Sequence, residues 1–278
     1  MSFICPTIKQ YLENKTFVEF KRSVKTPFSF DLRVMIDPES QEKSDGNLIL
    51  DYMEFCVNWI SSLRWSLPID YLSVSVELTP AKKVWCGGQI GKCNINSGET
   101  DFRGAKRYIR IWRREDYHKV LLHELLHAFD WDRLVQSKNP RESEAMIEAL
   151  AVLFHCWVLG GSQNQKLLEK ERRWFTKQLH WLKTREWFTN DTNVSEYIVL
   201  KSALLLTPSL LSRFWSWLES DSESQCRKEW PNLVKVNSKE LQLQLALQYQ
   251  EGLVHEEPQC VSLSLVSTQL SLTPISAP

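Results

Sequence analysis

Residues 117–132, YHKVLLHELLHAFDWD, constrain this chain more than any other stretch. Val120, Leu121, Leu125 and Leu126 recur at helical spacing, so the run reads as one amphipathic helix. It contains His123-Glu124-Leu125-Leu126-His127, the H-E-x-x-H pattern. Four residues turn a helix by about 400°, which puts His123 and His127 on one face, one turn apart. Two neutral imidazoles so placed can grip a single Zn²⁺, with Glu124 in reach of the metal's water as a general base. The bland alternative is a core helix carrying two satisfied histidines.

A catalytic zinc needs a third protein ligand and an open position. A His or Asp six residues after His127 is excluded, because that position is Arg133. Asp130 and Asp132 could reach the metal only if the helix ended and folded back sharply. A following antiparallel helix offers Glu142, Glu144 and Glu148. Glu148 is the first choice: it lies mid-helix, and the small Ala149 and Ala151 allow close helix approach. Glu144, one turn earlier on the same face, is the second, either as ligand or as a group orienting an imidazole. His155 lies two turns beyond Glu148, roughly 10 Å along the helix, and reads as a core histidine.

The rest of the chain places this helix. Residues 28–36 and 71–78 alternate as strands, with a helix over 48–65 between them. A short strand over 79–84, an exposed one over 93–100 and a buried one over 108–112 lead into the motif helix. Residues 1–24 are weakly periodic, with a short helix near 8–14. Helices are predicted at 142–160, closed by Gly160-Gly161, then at 164–187, 193–206 and 208–219. Strands first and helices after make an α+β chain with segregated layers.

Composition excludes some functions. Among 278 residues, Lys plus Arg and Asp plus Glu number 34 each, so neutrality leaves no electrostatic footprint for nucleic acid or an anionic membrane. The longest apolar run, 149–159, is too short to span a bilayer, and no leader is visible at the N-terminus. Seven cysteines at irregular spacing make no disulfide framework and point to a reducing, intracellular compartment and a soluble protein.

With these residues assembled, the chain resembles zincin metallopeptidases of the gluzincin kind, in which H-E-x-x-H is followed on a later helix by a ligand Glu in an E-x-x-A setting. It is similar, more narrowly, to uncharacterised HExxH metallopeptidases encoded by large DNA viruses. That likeness is carried by Asn96-Ser97-Gly98-Glu99-Thr100, residues 114–120, 123–132 and 144–151, and Thr192-Asn193-Val194-Ser195-Glu196-Tyr197 with 200–204. The resemblance implies a zincin-like core over 81–220, preceded by an N-terminal α/β part over 1–80. An extension over 221–278 follows, with its last ~20 residues disordered or ordered by a partner. It further implies one Zn²⁺ on His123, His127 and Glu148, Glu124 as base, and Tyr197 as an oxyanion donor. An edge strand pairs with a peptide substrate, which would place Asn96, Ser97 and Gly98 in substrate binding. One departure is Val152, four residues after Glu148, where no carboxylate can support a ligand histidine.

The expected activity is therefore zinc-dependent hydrolysis of peptide bonds in a protein or peptide substrate. Three rivals remain: a structural or interaction protein that keeps the fold without the chemistry, a zinc hydrolase of a non-peptide bond, and a Cys156 nucleophile beside His155. The last is poorly placed, since adjacent helical residues diverge by about 100°.

Overall fold

The computed structural model describes residues 4–26, 28–39, 45–85, 96–134, 140–160, 164–184, 201–202, 205–206 and 261–262. Its first compact unit comprises Met1–Val84, Gly91–Trp131 and Ser262–Pro278; its second comprises Trp85–Ile90 and Asp132–Val261.

In the first unit, strands β1 (Val18–Val24), β2 (Ser29–Ile36), β3 (Tyr71–Thr79), β5 (Gly98–Arg103) and β6 (Lys106–Arg113) form a mixed sheet in the order β1-β2-β3-β6-β5. The flanking pairs β1/β2 and β5/β6 are antiparallel, and the central pairs β2/β3 and β3/β6 are parallel. Parallel neighbours need a crossover, and helix α2 (Gly46–Ser62) provides it between β2 and β3. Asp45 starts that helix by accepting the Asn47 amide hydrogen at 2.9 Å. Its Ile49, Met53, Cys56, Val57 and Ile60 recur every third or fourth position and are all buried.

Helix α2 packs on β2, and Phe30, Leu32, Val34, Leu72, Val74 and Val76 alternate along β2 and β3 and are each at most 1 % exposed. Each such burial contributes about 1.5–3 kcal/mol before conformational entropy is counted. Helix α1 (Pro6–Asn14) packs elsewhere, through a cluster of Ile4, Cys5, Ile8 and Trp112. Cys5 is disulfide-bonded, whereas Cys56 and Cys156 are free and buried.

Tyr11 of α1 donates its hydroxyl hydrogen to Asp37 Oδ2, just beyond β2. This bond, ahead of the Glu39 amide, holds the Asp37 carboxyl below its ordinary value, while burial and the same bond push Tyr11 up to about 12. A lowered carboxyl contributes stability above its unfolded value and loses it as pH falls; a raised phenol loses its share as pH climbs from 10 through about 12. Tyr11→Phe is therefore expected to lower the unfolding free energy by about 1.5 kcal/mol near pH 7. That deficit shrinks both below pH 4 and above pH 10, as urea titrations across the range will show.

The third helix, α3 (Tyr117–Ala128), packs on β5 and β6. In the second unit, α4 (Pro140–Gly160) pairs with α5 (Asn164–Thr184). Every residue of α4 from Ala145 to Phe154 is buried, as expected of a helix apolar on nearly all sides. Short strands β4 (Val84–Trp85) and β7 (Val261–Ser262) pair with each other. No described helix is long and apolar enough to cross a membrane.

The chain is thus mixed α/β, with a five-stranded mixed sheet and five α-helices among the described residues. The predicted helices at 193–206 and 208–219 lie almost wholly outside those residues.

Candidate metal centre

The centre is built on α3, and both ends of that helix are fixed by recognisable causes. At its start, Asp116 occupies the cap position without capping any amide. Its carboxylate instead pairs with Lys83 Nζ at 2.9 Å and accepts from Ser97 Oγ at 3.4 Å. Lys83, Ser97, Arg113 and Asp116 are all at most 4 % exposed. The Lys83 amide also donates to Glu115 Oε1, and burial, then Asp116, raises the Glu115 carboxyl above its ordinary range. At the other end, the amides of Phe129 and Asp130 close on Leu125 and His127. Asp130 then takes a left-handed φ of 60°, which an Asp tolerates better than most residues. The helix stops there, and a 3₁₀ turn (Trp131–Leu134) follows.

Between these ends, His123 and His127 present their Nε2 atoms 3.1 Å apart. Two Zn–N bonds of the usual length at a tetrahedral angle span about 3.3 Å. The pair therefore fits one metal without rearrangement of the helix. Among the described residues, His123, His127 and Glu144 are candidate metal ligands, the histidines in the first unit and Glu144 in the second. Two imidazoles and a carboxylate form a donor set suited to Zn²⁺.

Glu148, the carboxylate ranked first from sequence, is not among those candidates. It is 1 % exposed, and its Oε1 lies 3.7 Å from the ammonium of Lys201. Lys201 is itself fully buried, 4.4 Å from the centre of the Phe175 ring. Asp132, another candidate, accepts from Ser143 Oγ at 2.7 Å.

Glu124 is 7 % exposed and turns toward the sheet edge. Its Oε2 accepts from Thr100 Oγ1 at 2.7 Å. A methyl group built at Gly98 would lie 2.8 Å from Glu124 Oε1 and 2.8 Å from Val120 Cγ1. Gly98 is thus required by the close approach of α3 to β5. The neighbouring residues read as substrate contacts bond to β6 through their carbonyls. The Asn96 carbonyl accepts from Trp112 Nε1 and Arg113 Nε, and the Ser97 carbonyl accepts from the Trp112 amide. Tyr197 lies outside the described residues.

Sequence reasoning missed Thr100 as a partner of Glu124, and it missed the buried group around Lys83 and Asp116. The alternation of Gly98 and Thr100 on one strand face was the only available signal for the first. No protein-family model matches the chain, and no curated protein matches it.

Proposed function

We propose that the chain is a zinc-dependent metallopeptidase of zincin type that hydrolyses peptide bonds in a protein or peptide. The observation that carries this reading is the pair of His123 and His127, their Nε2 atoms 3.1 Å apart, with the Glu124 carboxylate one helix position from His123 and 7 % exposed; Glu144 is the candidate third ligand. Further support comes from the antiparallel edge strand β5 packed against the motif helix. Such an edge can receive an extended peptide by strand addition.

In this reading His123, His127 and Glu144 hold the metal. Bound there, zinc supplies a Lewis acid for the scissile carbonyl and lowers the pKa of a coordinated water. Glu124 takes the proton of the attacking water and delivers it to the departing amine. The β5 backbone holds the substrate extended. Glu148, neutralised by Lys201, stabilises the second unit.

Elemental analysis of protein purified without added metal tests the ligand set. About one zinc per chain is expected in wild type and in Glu148→Ala. His127→Ala and Glu144→Ala are expected to lose it. Loss in Glu148→Ala with retention in Glu144→Ala would move the third ligand to Glu148. A wild type that takes up no added Zn²⁺ would overturn the reading and favour an interaction protein. Chelator-sensitive cleavage of an unstructured protein such as casein tests the peptidase activity itself.

A further inference from the structure

We infer that Thr100 is a positioning residue that holds the Glu124 carboxylate in its working orientation; this rests on the reading of Glu124 as general base. A glutamate side chain has three rotatable bonds, and nothing in the H-E-x-x-H spacing tells the carboxylate where to point. Here the edge strand settles it.

Residues two apart on a strand face the same side, about 6.7 Å apart. Gly98 and Thr100 are such a pair, and the Glu124 carboxylate lies across both. At position 98 the strand offers a gap that a single methyl group would fill, 2.8 Å from Oε1. At position 100 it offers a hydroxyl, 2.7 Å from Oε2 and 3.2 Å from the Glu124 carbonyl oxygen. One hydroxyl has one proton to give. The shorter bond, to the charged oxygen, is the stronger of the two.

Thr100 is also suited to aim that proton. Its β-branch leaves χ1 few choices, and its backbone is fixed by pairing with Ile109 of β6. The contact thus runs from a rigid strand to a flexible acid. With Oε2 tied to Thr100, Oε1 is the oxygen left to take the proton, and among the described residues it makes no hydrogen bond. A base must sit within hydrogen-bond reach of its proton, and a displacement of about 1 Å can cost about 10²-fold in rate. Holding one oxygen of the acid is therefore a direct route to holding the other.

The test pairs a folding measurement with turnover. Thr100→Val keeps the shape and removes the hydroxyl, whereas Thr100→Ser keeps the hydroxyl. In metal-free protein, a double-mutant cycle of Thr100→Val with Glu124→Ala, read by urea unfolding, is expected to show a coupling of about fivefold in the folding constant. On zinc-loaded protein cleaving casein-derived peptide, Thr100→Val should lower kcat about 10- to 100-fold with KM and zinc content unchanged. Thr100→Ser should stay within about threefold of wild type, the rescue expected of a hydroxyl-dependent contact.

Absence of coupling in the cycle overturns the inference whatever the activity. Coupling with a wild-type kcat in Thr100→Val overturns the positioning role. Coupling alongside a wild type that binds zinc and cleaves no peptide supports the Thr100–Glu124 contact, and it is then the peptidase reading that fails.

Discussion

Glu124→Gln protein is expected to bind zinc at wild-type stoichiometry and to cleave peptide about 10²–10⁴-fold more slowly. The substitution separates chemistry from architecture unusually well at this position. Glu124 is not among the candidate ligands His123, His127 and Glu144, so on the proposed reading its charge is not needed to hold the ion. The amide oxygen of Gln can still accept the Thr100 hydroxyl that Oε2 accepts at 2.7 Å in the native site. Its volume also leaves the close approach to Gly98 intact. The amide loses the ability to take a proton at neutral pH, and with it the base. Elemental analysis and initial rates on the same preparation decide the matter. Undiminished turnover with zinc present would remove Glu124 from the mechanism.

The second large effect is on stability. Lys83→Met is expected to destabilise the fold by about 3–5 kcal/mol, read from the urea midpoint at pH 7. Lys83 and Asp116 are paired at 2.9 Å with side chains 2 % and 0 % exposed. Removing the cation leaves Asp116 buried beside Glu115, whose carboxyl is already raised by burial and by Asp116. Arg113, 1 % exposed, remains as a cation beside Glu115 and Asp116. Replacing Asp116 as well, by Asn, should recover part of the loss, because the penalty belongs to the orphaned charge. The position matters because Asp116 heads α3, so disturbance there reaches the start of the helix that carries both histidines.

The legible parts of the fold were those with one dominant period. The strand read over 71–78 is found as Tyr71–Thr79, and the motif helix as Tyr117–Ala128. Strand β1 was missed because it is an edge, with Val18, Glu19, Lys21 and Ser23 all exposed, so no apolar alternation announces it. Of the strand read over 93–100, residues 93–95 lie outside the described residues, and the described strand starts at Gly98 and runs on to Arg103. Its true end is marked by Gly104, which turns the hairpin at φ 64°.

Helical spacing also explains what the sequence could say about the metal group. His123 and His127 follow from a repeat of four. Glu144 and Glu148 share one face by the same repeat, so periodicity cannot choose between them. Lys201, 53 positions beyond Glu148 in the chain, distinguishes them by pairing with one. Such a contact is set by tertiary packing and leaves no trace in local sequence.

The position of β5 has a consequence for how the protein behaves in a crowd. Among the described residues it is the last strand of the sheet, and a bare edge will template any extended chain, including another copy of itself. Glu99, Asp101 and Arg103 alternate along it, and Asp101 and Arg103, 52 % and 68 % exposed, are paired at 2.7 Å. Charges placed this way make in-register parallel stacking of identical copies unfavourable, because like charges would meet across the new ladder. On the proposed reading, the edge that would receive a peptide thus carries charges that oppose parallel self-stacking.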